Sequence, residues 1–150
     1  DYAELSEQGI TISPEAKEDQ PLHFVTLKGD SSNGWQFVND KLRVGKQDHY
    51  ENNILTRAFL PLDLKQQSGR LVLDISLKAE DENDSLRIYF NNPDTSERIH
   101  VFAGSSLSKQ EGVRISLPEN WDRADVVFEF ESDENWNMSG PEISNLKIVR

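Results

Sequence analysis

Three runs in the later part of the chain alternate apolar and polar side chains almost without a break, and a period of two constrains the fold more than any other feature of this sequence. In Arg70 to Ala79, Leu71, Leu73, Ile75 and Leu77 fall on one side, with Val72, Asp74, Ser76 and Lys78 on the other. In Ser85 to Asn91 the apolar set is Leu86, Ile88 and Phe90, and in Asp125 to Ser132 it is Val126, Phe128 and Phe130. Successive side chains of an extended strand point to opposite faces, so each run predicts a strand with one face in a core and one toward water. The expected architecture is all-β, an antiparallel β-sandwich of the jelly-roll kind.

The rest of the chain reads the same way. Gly9 to Ile12 suggests a short strand ending at Ser13-Pro14, and Leu22 to Leu27 a longer one closed by the turn cluster Gly29 to Gly34. Trp35 to Val38 and Leu42 to Val44 form an expected hairpin around Asn39-Asp40. Asn53 to Leu62 is nearly continuous in apolar residues, which suggests a strand covered on both sides or one crossing between sheets. The run Asn91 to Ser96 is a strong turn signal, and Arg98 to Ala103, Val113 to Leu117 and Ile143 to Val149 complete the strands. That is roughly eight to eleven strands at about ten-residue spacing, as a sandwich or jelly roll requires. No segment sustains helical periodicity over three turns.

A chain of 150 residues fits one domain, expected over residues 21–150, with 1–20 an acidic leader or first edge strand. A domain of this size buries roughly 70% of the surface its unfolded chain exposes, enough for a core without staples. Its mean hydropathy of -0.67 is low, but a sandwich needs only every second strand residue to be apolar. A net charge of -11 argues against nucleic acid as a partner, because phosphate recognition needs a basic face. Anionic membrane surfaces are disfavoured likewise, and no apolar run is long enough to insert in a membrane. With no cysteine, thiolate chemistry and disulfides are excluded. The chain begins at Asp1 without Met or a basic leader, which reads as a mature or excised domain, and the expected location is extracellular or periplasmic.

Several stretches carry a resemblance. Trp35 opens a strand after Gly34, Phe59 to Leu64 is followed by the strand Arg70 to Ala79, and the chain closes on Gly140-Pro141-Glu142-Ile143-Ser144-Asn145-Leu146-Lys147-Ile148. Over about Asn33 to Arg150 this pattern resembles the galactose-binding-like jelly rolls. That group includes bacterial xylan-type and glucan-type carbohydrate-binding modules and the MAM-like cleaved-adhesin domains of secreted peptidases. The resemblance implies a non-catalytic binding module and, in many members, a structural Ca²⁺ held in part by an Asp in the last strand. Here that position is Ser144, a poor ligand for a hard cation, so the resemblance does not carry the calcium site over.

The candidate ligand-binding residues are Trp121, Trp136, Tyr89, Arg87 and Asn91. Trp121 and Trp136 lie in polar loop contexts, and a flat indole packs on the C–H face of a pyranose while amide, carboxylate or guanidinium groups bond its hydroxyls. Tyr89 shares the polar face of its strand with Arg87 and Asn91. Trp35, at the start of a strand, is expected in the core. The acidic stretch Glu80 to Asp84 offers Asp81, Asn83 and Asp84 as candidate metal ligands without matching any known Ca²⁺ loop, so a solvated hairpin tip is the competing expectation. Asp133 to Asn135, with Asp122 and Asp125, forms a second acidic patch of the same kind. His23, His49 and His100 have no spacing partners and read as surface or packed imidazoles. No nucleophile elbow, P-loop, dinucleotide fingerprint or zinc helix occurs, so an enzyme is not expected. The sequons Asn83-Asp84-Ser85 and Asn137-Met138-Ser139 read as chance. Two readings remain open: a module that recognises carbohydrate, and a structural, adhesin-like or sensor module that packs against a neighbouring domain or protein.

Overall fold

Alternating strands bury their apolar faces only by stacking two sheets, and the chain does so. The computed structural model describes residues 2–6, 9–13, 22–45, 50–65, 69–78, 84–104, 109–133 and 140–149. Within them run β1 (Tyr2–Ser6), β2 (Gly9–Ser13), β3 (His23–Lys28), β4 (Trp35–Val38), β5 (Lys41–Val44), β6 (Leu55–Asp63), β7 (Arg70–Lys78), β8 (Ser85–Asn91), β9 (Arg98–Gly104), β10 (Gln110–Ser116), β11 (Arg123–Glu131) and β12 (Gly140–Val149). Two five-stranded sheets form, in the orders β10-β7-β12-β5-β4 and β3-β6-β11-β8-β9, and every pairing is antiparallel. From β5 onward the chain passes between the sheets so that β12 enters between β5 and β7, and β11 between β6 and β8. That interleaving is a jelly roll, with β4 and β3 as added edges. The segment expected to hold one N-terminal strand pairs as the hairpin β1-β2, a separate two-stranded sheet.

The inward sets of the three alternating runs meet between the sheets. Leu71, Leu73, Ile75 and Leu77 of β7, Leu86, Ile88 and Phe90 of β8, and Val126, Phe128 and Phe130 of β11 are all buried. Trp35 joins this core as expected. The apolar run Asn53 to Leu62 is not a crossing but a strand, covered fully on one side and in part on the other. It is β6, whose Thr56, Ala58, Leu60 and Leu62 point inward while Leu55, Arg57, Phe59 and Pro61 lie half-buried on the outer face. Continuous apolarity arose because the outer face of this strand is itself partly covered. The β4-β5 hairpin turns on Asn39 and Asp40 with φ of 52° and 62°, the left-handed pair that matches the twist of the strands.

Gly34 precedes Trp35 for a steric reason. A Cβ there would sit 2.5 Å from the Thr26 hydroxyl and 2.6 Å from that of Thr56. These hydroxyls bond one another at 3.0 Å, tying β3 to β6, and the Trp35 indole N–H donates to the Thr56 carbonyl at 3.1 Å, joining β4 of one sheet to β6 of the other. Gly34→Ala should therefore cost about 2 kcal/mol or more, since neither short side chain can move aside without breaking this bond. Urea unfolding would measure it, and a loss below about 0.5 kcal/mol would contradict the close approach.

On the first sheet, one carboxylate holds two irregular strands. β10 bulges between Gln110 and Val113, and β12 between Ser144 and Lys147, on either side of β7. Asp74 of β7 accepts from the Gly112 N–H at 2.8 Å and from the Asn145 side chain at 2.7 Å. Gly112 and Asn145 are left-handed, at φ of 63° and 52°. Ser144, the position where the resembled family carries Asp, lies opposite Asp74 in the register. The Asn145 bond first, and the Gly112 bond next, hold the Asp74 carboxyl below its ordinary 3.8. A depressed carboxyl contributes stability above its unfolded value that is lost as pH falls through the folded one. Asp74→Asn should thus lower the thermal midpoint at neutral pH and leave a smaller difference in strong acid. A pH series of thermal melts with parallel curves for the two proteins would contradict this.

Candidate functional site

The antiparallel register lines up the outer face of the second sheet. His23 of β3 opposes Phe59 of β6, Phe59 opposes Val127 of β11, Val127 opposes Tyr89 of β8, and Tyr89 opposes His100 of β9. One row of apolar and aromatic groups thus crosses all five strands on the side facing away from the core. His23 stacks on Phe59 with ring centroids 4.9 Å apart and planes within 4°. At the far end His100 packs on Tyr89 at 5.1 Å, and the Arg98 guanidinium lies 4.9 Å from the Tyr89 ring centre. Val127 is 0% and Tyr89 2% exposed, although neither belongs to the inter-sheet core. Burial pushes the Tyr89 phenol above its ordinary value, with the nearby Glu129 charge acting in the same direction.

A second row, two residues along each strand, is charged. Arg57, Glu129 and Arg87 are cross-strand neighbours on β6, β11 and β8. Glu129, only 6% exposed, accepts from Arg57 Nε at 2.6 Å and from Arg87 at 2.9 Å, and Arg87 reaches on to Glu131 at 2.7 Å. A carboxylate this covered is tolerable because two guanidiniums compensate it. Glu129→Gln removes one charge from between them and should destabilise by about 2 kcal/mol, less than a fully buried pair because both arginines keep contact with water. Denaturant unfolding would measure it; no change in midpoint would contradict the compensation.

On the other side of the aromatic row, Pro61, Asp125, Asn91 and Arg98 are in register across β6, β11, β8 and β9. Burial holds the Asp125 carboxyl above its ordinary value, against the opposing effects of a His23 charge and an Asn91 hydrogen bond. This row opens into a cavity of about 400 Å³ at the end of the sheet, walled by Pro61, Asp63, Pro93, Asp94, Arg123 and Asp125. Arg123 forms a fork to Asp94 across its mouth, at 2.6 and 3.2 Å.

The structure brings Tyr89, Arg87 and Asn91 together on this face as the strand parity implied, but it covers the Tyr89 ring, so the guanidinium of Arg98 and not the phenol is presented to solvent. Trp121 packs against the inter-sheet core with part of its surface exposed, and Trp136 lies outside the described residues. Of the candidate metal ligands, Asp81 and Asn83 also lie outside them. Asp84 is fully buried, and its carboxylate accepts from the Tyr50 hydroxyl and the Asp133 N–H. It is thus neither an open cation ligand nor part of a solvated hairpin tip. It ties three loops together at the edge of the core. Of the second acidic patch, Asp122 and Asp125 line the cavity, while Asp133 belongs to the Asp84 cluster. Among the described residues no group of three acidic or histidine side chains is placed to hold a metal ion.

Sequence reasoning missed His23, Phe59, Arg98, His100 and Glu129 as members of one surface. Their parity along each strand was readable; which strand lies beside which was not, and the row exists only through that pairing.

No protein-family model and no curated protein matches the chain. Solved structures do. One is a carbohydrate-binding module of the β-sandwich superfamily described for promiscuous specificity, at 13% identity and a TM-score of 0.47, covering 85% of this chain and 57% of that one. Another is the mannan-recognising module TmCBM27, at 15% identity and 0.41, covering 83% and 86%. A third is the enzymatically active domain of tailspike protein 4 of bacteriophage CBA120, at 14% and 0.39, covering 85% of this chain but 18% of that one. Among the described residues no helix is long and apolar enough to cross a membrane.

Proposed function

We propose that this chain is a non-catalytic carbohydrate-recognition module of an exported bacterial protein, and that it takes its ligand along the outer face of the β3-β6-β11-β8-β9 sheet. The observation that carries this reading is the aromatic row from His23 to His100 flanked by polar rows. A sheet face turned to water needs only polar side chains, yet this one carries an aromatic row, accessible at His23, Phe59 and His100 and buried at Val127 and Tyr89, bordered by guanidinium, carboxylate and amide groups. That pairing of flat apolar surface with hydrogen-bonding flanks suits a pyranose chain, whose C–H faces alternate with hydroxyls. Binding of this kind is reversible and needs no covalent step, and the deeper end cavity accommodates one end of the chain.

Affinity electrophoresis and calorimetry against plant and bacterial polysaccharides test the reading. Retention by at least one polymer is expected, with Phe59→Ala weakening it about tenfold and Lys41→Ala, on the opposite sheet, leaving it unchanged. Retention by none would remove the carbohydrate reading.

One observation favours a second reading. The edge strand β3 leaves Phe24 39%, Val25 41% and Leu27 53% exposed, and unpaired strand edges with apolar side chains are where sheets accept a partner. In that case the module packs against a neighbouring domain of an adhesin or peptidase and binds no sugar. The partial cover of Trp121 is compatible with it.

A further inference from the structure

We propose that the carbohydrate taken by this face is acidic, a uronic-acid polymer whose carboxylate is received by Arg98. This rests on the carbohydrate reading above and adds the charge class of the sugar. Among the described residues the guanidinium of Arg98 makes no ion pair and no hydrogen bond, and it lies over the Tyr89 ring, 4.9 Å from its centre. That is notable in a chain of net charge -11, where carboxylates outnumber partners. Of the carboxylates on this face, Glu129 is committed to Arg57 and Arg87, Glu131 to Arg87, and Asp94 to Arg123, while Glu97, next to Arg98 in the chain, forms no ion pair with it. Asp125 is hydrogen-bonded to Asn91, which separates it from Arg98 in the register, and its carboxyl is held toward the neutral form by burial.

The Tyr89 ring orients Arg98. A cation over an aromatic face is held by the ring quadrupole, so the planar fork is ordered before any ligand arrives and less entropy is lost when it binds. Its donors then meet what matches them best, a carboxylate taken through two parallel N–H···O bonds. His100 stands on the same face of β9, opposite the ring that Arg98 covers. A neutral pyranose would leave the Arg98 charge uncompensated, whereas a uronate residue on the aromatic row places its carboxylate against it.

The test uses uronans, namely galacturonan, glucuronan and mannuronan, each beside its carboxyl-reduced neutral counterpart, titrated by calorimetry against the wild type and Arg98→Ala. The expected result is tighter binding of at least one uronan than of its reduced form. Arg98→Ala should lose about tenfold on the uronan with no loss on the neutral polymer. Arg98→Lys, which keeps the charge without the fork, should recover only part. Arg98 lies on an exposed edge strand, so an unchanged thermal midpoint verifies that the variant is folded. Equal affinity for charged and reduced polymers, preference for the reduced ones, or an Arg98→Ala variant that binds uronan normally would overturn the acidic assignment and leave the carbohydrate reading standing. Failure of every polymer, charged or neutral, would overturn both.

Discussion

Everything in this molecule depends on the removal of one face of each strand from water. The stacked sheets share a core built from every second residue of β6, β7, β8 and β11, with Ile143, Leu146 and Ile148 of the bulged β12, and those residues are almost wholly covered. Because the side-chain period is two, a slip of one residue would turn each set outward, so burial fixes the register as well as the layers. With the register fixed, the outer faces are fixed too, and residues far apart in sequence become neighbours in rows. The candidate site is a consequence of the core: His23, Phe59, Val127, Tyr89 and His100 align because Ala58, Phe128 and Ile88 must face the other way.

That outer face departs from what the core alone requires. Val127 and Tyr89 are as buried as core residues yet sit outside it, shielded by the rings and guanidiniums around them. Glu129 is drawn into the same layer and neutralised by two arginines. The second sheet therefore carries a thin secondary layer that stiffens its outer face. A face whose side chains are already ordered by stacking and ion pairing loses little entropy when something lies on it. The first sheet has no comparable layer among its described residues. Its outer side is organised around Asp74, which stabilises two bulges and presents polar backbone and side-chain groups.

The layers and the core were legible in the sequence wherever alternation was strict. Leu71 to Leu77, Leu86 to Phe90 and Val126 to Phe130 declare their faces without help from elsewhere, and Asn39-Asp40 declares its turn. β6 was harder, because an outer face half-covered by Phe59 and Leu55 breaks the alternation that identifies a strand. Asp84 misled for a related reason: an acidic cluster reads as solvated, and only the tertiary approach of Tyr50 and Asp133 turns one member inward. Tyr89, Arg87 and Asn91 were placed on one face by parity alone. The cover of Tyr89 by Arg98 was not visible, since it requires β9 to pair with β8 and a bulge between Ile88 and Tyr89 to set the phase.

The central claim is that the outer face of the β3-β6-β11-β8-β9 sheet recognises sugar. Amide chemical-shift mapping of the isotope-labelled protein, titrated with short oligomers of whichever polysaccharide it retains, addresses this most directly. The account predicts perturbations concentrated on β8, β9 and β11, around Arg87, Tyr89, Arg98 and His100, extending to Asp125 at the cavity. Perturbations confined to the first sheet around Asp74, or to the exposed edge of β3, would contradict it.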